Sequence, residues 1–584
     1  MRWEIVESKR VIGTKDLNGH TESLEMSGER VSGIVGYGAS GGRLILTRDI
    51  VFPNFRIQPN DTHGSYCIRG IGSPDFLGAE TFEKARISGI LTLYSNTGSA
   101  KIKRSFYPSA TLSCFYEDIE IIAESGGVTP VYEQEKRLET KLGCEGYFYV
   151  DRVADRRPAT LKKGDDFRVI FTYRAYFANE DPPTETDALK KRMARVEELL
   201  GECDLTTGDD VIDTEFAFAK IRAGESIFRT KKGLIHCPGG YAYYGAVWCN
   251  DQLEYAAPWF AFTGDIKAME ASENAFSRYE PYMNDEYLAM PSSIIAEGFD
   301  YWNGAGDRGD AAMYLFGLSR YLLTAGKKPN EGQARALKWC VEYIERKTTA
   351  AGAVISDSDE LEGRLSSGIN LSTAALAYGG LGYVLLLWKK CGEDELCFKA
   401  ARLKERIKKG FEDYFAAEIK GYKTYAYHKD CNEIRAWNCL PVYMGVFERA
   451  QDTLASIENT LWNGCCCKAA ESEKISWDRS TLYFIAALFR AGEGEKAFSM
   501  LKGYSEKRLL GERVPYPTEA YPEGNMRHLS AESALYCRVI TDGLFNIAFD
   551  QNGFSRRKDF SFLSGGVSFK NVFINGEYRD IEIL

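Results

Sequence analysis

Over residues 1 to 195 apolar and polar positions alternate in short runs: RLILTRDIVF, ISGILTLYS, CFYEDIEIIAE and FRVIFTYRAYF, separated by clusters of Gly, Asn, Asp and Ser. In the last run Phe167, Val169, Phe171 and Tyr173 alternate with Arg168, Ile170, Thr172 and Arg174. Successive side chains of a strand point to opposite faces, so this period predicts strands with two unlike faces. Turn signals recur at short intervals without a competing helical period, and a β-sandwich is expected over 1–195.

The segment TETDALKKRMARVEELLGECD predicts a linker helix, with 196–210 as the joining region, and from there the period changes. Over 211–548 apolar residues recur at helical spacing. Ala312, Leu315, Phe316, Ser319, Leu322 and Leu323 share one face before Gly326 stops the helix; Leu482, Ile485, Ala486 and Phe489 repeat the pattern behind Asp478 and Ser480 as expected caps. About a dozen such helices are expected, joined by long loops rich in Trp, Tyr, Gly and carboxylates. Long loops on a helical scaffold place a site at one end of a barrel. The tail FSFLSGGVSFKNVFINGEYRDIEIL returns to alternation, and a short β element over 549–584 is expected to pack against the sandwich.

Composition narrows the function. With 584 residues the chain can bury a large core and divides into more than one domain. A formal charge of -10, with no Lys/Arg run, opposes nucleic acid as a partner. MRWEIVESKR has no apolar signal core and no apolar run of spanning length is evident, so a cytoplasmic protein without a membrane partner is expected. Fifteen Cys in no paired framework read as reduced thiols, and the adjacent Cys465, Cys466 and Cys467 lack a second Cys/His pair that would make a metal site. Aromatic residues make up 13% of the chain, enough to supply rings for stacking on a flat ligand as well as for the core.

Candidate chemistry gathers on four loops. In GGYAYYGAVWCNDQLEYAAPWFAFTGD an aromatic cluster (Tyr241, Tyr243, Tyr244, Trp248) runs into Asn250, Asp251 and Glu254. A ring beside a carboxylate suits sugar, because the ring covers C–H faces while the carboxylate accepts from hydroxyls; Asp251 can equally cap the helix that follows. In EGFDYWNGAGDRGDAAMYLF, Glu297, Asp300, Trp302, Asp307, Arg308 and Asp310 crowd a Gly-rich loop, where Asp310 can cap and Arg308 can pair with Asp307. SDSDELEGR holds Asp357, Asp359, Glu360 and Glu362 with Arg364, either as a solvated, dipole-complementing helix entry or as a catalytic carboxylate at the mouth of a barrel. YPTEAYPEGNMRHLSAES holds Glu519, Glu523, His528 and Glu532; Ser530 or Glu532 can start the last helix, while Glu519 sits among Tyr516, Pro517 and Tyr521. Carboxylates on facing loops meet the need of glycosidic hydrolysis for one acid and one base.

The order of these loops resembles the six-hairpin glycosidases, the (α/α)6-barrel group of glucoamylases, disaccharide phosphorylases and bacterial α-L-rhamnosidases, often preceded by a β-sandwich. The likeness covers about 210 to 548, and it implies a multidomain α and β fold: N-terminal β-sandwich, (α/α)6 barrel over 211–548, short C-terminal β element. AVWCNDQLEYAAPWF is similar to the phosphorylase pattern in which a Trp-Asp pair opens a helix, which gives Asp251 beside Trp248 the role of holding sugar hydroxyls, with Cys249 and Asn250 intervening. SDSDELEGRLSSGINLSTAALAY resembles the segment carrying the general acid, as Glu360 after Asp359 or as Glu362 by its spacing to Thr373. PTEAYPEGNMRHLSAES is similar to the glucoamylase segment whose Glu is the base, which gives that role to Glu519 ahead of Ser530 and Ala531. Phosphorylases lack such a Glu, so Glu519 points to water as the nucleophile; the Arg-Leu-Gly-Trp continuation of the rhamnosidase motif is absent, which leaves the sugar open.

The resemblance implies an inverting exo-acting hydrolase of a terminal, α-linked sugar such as an α-L-rhamnoside or α-glucoside. Glu360 or Glu362 donates a proton, Glu519 activates water, and the two carboxyls stand about 6.5–9.5 Å apart. Trp248, Asp251, Glu254, Trp302 and Trp437 hold the sugar; Asp307, Arg308, Asp310, Glu523 and His528 complete the lining. Alternatives are a disaccharide phosphorylase, a polysaccharide lyase, whose uronate the acidic loops would repel, or a non-catalytic carbohydrate-binding protein. No cofactor or metal is called for, and nothing opposes a homo-oligomer.

Overall fold

The computed structural model describes residues 2–57, 66–71, 76–240, 245–297, 301–361, 368–521, 528–551, 553–563 and 565–583. RLILTRDIVF forms strand Arg43–Phe52, CFYEDIEIIAE supplies Cys114–Ala123 and FRVIFTYRAYF supplies Asp166–Phe177. In the last, Phe167, Val169, Phe171 and Tyr173 are buried, whereas Arg168 is exposed and Ile170, Thr172 and Arg174 are half-buried. ISGILTLYS is not one strand. The chain reverses at Gly89, whose φ of 77° suits glycine, between Thr81–Ile87 and Leu91–Asn96.

These strands belong to an antiparallel sheet of 13 strands. It folds back on itself: a Cβ at Gly33 would lie 2.1 Å from the ring of Phe115, so only glycine lets that ring pack there. The core of the sheet, which includes Trp3, Leu24, Val35, Phe106 and Val169, also takes in Phe218, Leu509, Leu510, Val514 and Tyr516 from the helical part.

Thirteen α-helices lie among the described residues from Ala188 onward. The linker helix runs Ala188–Gly201 and so begins inside the span assigned to the sandwich. Helix Asp210–Glu225 follows, with the Asp209 carboxylate accepting from the N–H groups of Val211 and Ile212. Helix Asp310–Ala325 forms where the apolar spacing places it and ends at Gly326, φ 67°. It is buried all round, packed on Ala257–Thr263, Glu331–Lys347 and Leu371–Cys391. Leu371–Cys391 corrects the expectation of no spanning-length run: by length and composition it could cross a membrane, yet 72% of its apolar window is buried inside the protein, as in a core helix.

Helix Asp478–Arg490 also forms, but its expected caps do other work. The Asp478 carboxylate accepts from Arg508 at 2.5 and 2.7 Å, from the Tyr504 hydroxyl at 2.9 Å and from the Thr518 N–H at 2.8 Å. The Ser480 hydroxyl donates to the Trp477 carbonyl at 2.9 Å. The last α-helix, Ser530–Arg538, packs on Asp210–Glu225, so the helical layer returns to where it began.

The tail does not dock on the large sheet. Strands Val567–Ile574 and Glu577–Ile583 form a separate sheet with Asp204–Thr206, and the inward residues Val567, Phe569, Val572 and Ile574 join the helical core. Phe569 stacks on Phe545 at 4.9 Å and meets Phe216 edge-on at 5.9 Å. Alternation marks a strand with a buried face without naming what buries it.

The large sheet grips segments of the helical part. Glu22 accepts from the Arg513 N–H at 3.0 Å, and the Leu510 carbonyl accepts from the N–H groups of Arg2 and Trp3 at 3.0 and 3.2 Å. Glu25 accepts from the Gly240 N–H at 3.1 Å and pairs at 3.0 Å with Arg222, whose Nε donates to the His528 carbonyl at 2.8 Å.

Candidate active site

Trp248 ends a short strand, Ala246–Trp248, paired with Ser293–Ile295. The chain then enters a wide helical turn of π type, Cys249–Ala256, before the α-helix Ala257–Thr263. Such turns re-aim side chains and recur at functional sites; here every residue of the turn is buried. Trp302, on the neighbouring strand, packs on Trp248 with ring centroids 5.4 Å apart. The Arg308 guanidinium lies 5.6 Å above the Trp248 ring, donates to Asn250 Oδ1 at 2.9 Å and faces Asp310 at 3.8 Å.

Trp248, Asp251, Arg308 and Glu519 line one small cavity together with Asn250, Arg479 and Leu529. Arg479 is its centre. It donates to Glu532 through Nε at 2.9 Å and pairs with it through Nη2 at 2.6 Å; the same Nη2 stands 3.5 Å from Glu519 and 3.8 Å from Asp251, and Nη1 donates to the Glu360 carbonyl at 3.2 Å. Glu519 is held from the other side by main chain: its carbonyl accepts from the Asp478 N–H at 3.1 Å, and Trp477 pairs with Ala520 across a two-residue ladder. Its side chain keeps 16% exposure, against 0% for Glu532.

The acidic stretch is solvated only in part where it is described: Asp357 is exposed, whereas Asp359 and Glu360 are buried. The Asp357 carboxylate accepts from the Asp307 N–H at 2.9 Å, and Asp359 takes the Leu361 N–H at 2.7 Å and the Tyr427 hydroxyl. Glu360 is 2% exposed; the Tyr255 hydroxyl donates to one of its carboxyl oxygens, and the Glu254 carboxyl faces it. Burial pushes Glu360 above the ordinary glutamate range, more strongly than Tyr255, Glu254, Arg479 and Arg308 pull it down. Glu254 stands well above that range through burial and then through the charge of Glu360. Glu532 is pushed up to about 8 by burial, Arg479 lowering it and Asp251 and Glu519 raising it.

No protein-family model and no curated protein matches the sequence. Solved structures do. A protein assigned as a kojibiose phosphorylase from the human microbiome superposes with a TM-score of 0.61 at 10% identity, over 100% of this chain and 94% of that one. A bacterial glucoamylase complexed with acarbose gives 0.51 at 11% identity, over 93% and 94%. This chain shares the overall fold of both.

The cavity sorts the residues expected on the sequence. Trp248, Asp251, Arg308 and Glu519 meet at the cavity, and Trp302 backs it. Glu254, Asp307, Asp310, Trp437 and His528 are not among the residues that line it. Glu254 lies behind Glu360, its Oε1 taking the Tyr483 hydroxyl. Asp307 accepts from Tyr343 at 2.5 Å and from the Gly309 N–H at 2.8 Å instead of pairing with Arg308. Asp310 accepts from Ser292 at 3.1 Å and from the Arg308 N–H at 3.2 Å, and burial lifts it to about 6. Trp437 is fully buried edge-on against Tyr483 at 5.6 Å. His528 is buried against Tyr516, bonded through Nε2 to the Arg513 carbonyl at 3.0 Å, and burial lowers it to about 3, so it is neutral and structural. Tyr241, Tyr243, Tyr244, Asp300, Glu362, Arg364 and Glu523 lie outside the described residues.

Arg479, Tyr255 and Tyr483 were not among the expected site residues. The signal for Arg479 was a cation at the second position of a helix, Asp478–Arg490, where the dipole disfavours it unless anions surround it. All fifteen cysteines are free, and among the described residues no group of three or more His, Cys, Asp and Glu could hold a metal; Cys466 Sγ lies 3.7 Å from Arg508.

Proposed function

We propose that the chain is an inverting, exo-acting glycoside hydrolase with a sandwich over 1–195 and an (α/α)6 barrel over 211–548, acting on the terminal sugar of an oligosaccharide or glycoside. The observation that carries this reading is the placement of two unlike glutamates on either side of Arg479. Glu360 is buried and displaced toward its protonated form, as an acid for the leaving oxygen must be. Glu519 is partly exposed at the cavity, 3.5 Å from the Arg479 guanidinium, where a base can reach water. Asp251 and Asn250 are placed to accept from and donate to sugar hydroxyls, and the face of Trp248 to cover C–H groups. A terminal, α-linked sugar is the substrate class that the names of the two solved structures suggest.

The whole-chain likeness to a phosphorylase favours a second reading, with inorganic phosphate in place of water. Against it, Asp251 and Glu519 put two carboxylates on the cavity wall, and both arginines there already face carboxylates. The test is a panel of nitrophenyl glycosides and disaccharides, with and without phosphate, read by proton NMR for the first anomer released. Inverted free sugar, abolished in Glu519→Gln, is expected. A sugar phosphate formed only with phosphate establishes the second reading, and a retained anomer overturns both.

A further inference from the structure

Glu254 and Tyr255 are consecutive in the wide turn Cys249–Ala256, and both meet Glu360 from there. Tyr255 donates to Glu360; Tyr483, from helix Asp478–Arg490, donates to Glu254 Oε1. The other oxygen of Glu254, Oε2, is fully buried and finds no N–H or O–H donor among the described residues. An unpaired carboxyl oxygen in a dry site is costly. The Glu254 carboxyl faces a second carboxyl, that of Glu360, and a proton on either one bonds the two together. Both residues are at most 2% exposed, so two ionised carboxylates side by side would be penalised twice, by lost hydration and by repulsion.

We propose that Glu254 is a positioning residue that shares one proton with Glu360 and keeps the acid loaded between turnovers. The inference rests on the assignment of Glu360 as acid. Glu360 gives its proton to the departing glycosidic oxygen as the bond to the anomeric carbon breaks; the water that attacks that carbon passes its proton to Glu519 and on to solvent. The Glu254–Glu360 pair, then doubly ionised, takes one proton back from solvent. The charged and titratable groups facing it are Tyr255, Arg479 and Arg308 on the Glu360 side and Tyr483 and Arg538 on the Glu254 side. The nearest of these donate without filling Oε2: Arg538 reaches only the Glu254 carbonyl, at 2.7 Å.

Two substitutions move the pair in opposite directions. Glu254→Gln puts a permanent amide donor beside Glu360 and stabilises its ionised form, so the pair loses its proton at a pH lower by about one unit. Tyr483→Phe removes a donor to Glu254, so the proton is held to a pH higher by a similar, smaller amount. The primary readout is the protonated-carboxyl stretch in infrared difference spectra of the folded protein across pH 5 to 9. It needs no substrate and remains decisive if no glycoside is cleaved. The expected result is a band in the wild type that persists at neutral pH, fades earlier in Glu254→Gln and later in Tyr483→Phe. The alkaline limb of kcat/KM should follow the same order, with the loss in Glu254→Gln larger for poor leaving groups than for nitrophenol. A band that titrates alike in all three folded proteins overturns the shared proton. Bands that move as expected in a protein without hydrolase activity overturn Glu360 as the acid of this reaction and leave the pair standing.

Discussion

Among the clusters of buried arginine and carboxylate in this molecule, one in the sheet and one at the cavity differ in kind. In the sheet Arg48 bonds Glu117 at 2.5 Å and Arg104 bonds Glu117 at 2.7 Å and also Glu80, whose other oxygen takes the Ser95 hydroxyl at 2.6 Å. Cations and anions are equal there. Burial alone would raise Glu117, but Arg48 and Arg104 outweigh it and hold the carboxyl below its ordinary range. At the cavity Arg479 faces Asp251, Glu519 and Glu532 at once, and Glu532 is lifted to about 8, with one oxygen lacking a donor among the described residues. A balanced cluster serves stability. An unbalanced one stores unfavourable interactions that a stability-minded sequence would discard, which is the mark of a site kept for its chemistry.

Substitution can break that contrast at several points. Arg104→Met strands buried charge in the sheet and should cost about 3–5 kcal/mol of stability, read as a fall in Tm or denaturant midpoint, with turnover per folded molecule unchanged. Glu519→Gln should do the reverse, lowering kcat by about 10³-fold while Tm stays level or rises, since it relieves the excess charge around Arg479. Arg479→Lys keeps the charge and loses the fork; a loss of about 10-fold in kcat/KM, falling first at acid pH, is expected because a point charge cannot hold three carboxyls at once. The smallest effect belongs to Glu532. Its folded value of about 8 lies above the unfolded one, so the folded state holds a proton that the unfolded state releases, and stability falls as pH rises toward 8. Glu532→Gln removes that fall. The variant should therefore gain stability relative to the wild type between pH 5 and 8.5 in denaturant titrations, and a constant difference would show that Glu532 does not titrate in this window.

Strands and helices were legible because each writes its period into the chain: Phe167 to Tyr173 and Ala312 to Leu323 fall where alternation and helical spacing put them. The cavity was half legible. Asp251 and Glu519 stand out as carboxylates among rings, a conspicuous setting. Arg479 did not, because Asp478 and Ser480 on either side look like caps, and only tertiary structure reveals that Arg508 claims Asp478. Glu254 was read as a sugar ligand together with its neighbours; the π-type turn that directs it inward leaves no periodic trace. The tail's docking on helices was equally hidden, since an apolar face does not specify its partner.

The grip of the large sheet on Arg513, Leu510, Gly240 and, through Arg222, His528 bears on modularity. Those contacts fix both flanks of the segment that carries Glu519, and Phe218, Leu509, Leu510 and Tyr516 complete the sheet's own core. Helices cut free of the sheet would expose that apolar surface and release the anchor points on either side of Glu519. The two halves are distinct in texture yet are not separable parts: the sheet is a jig on which the loop at the cavity is held to shape, and an engineer who trims it loosens that loop.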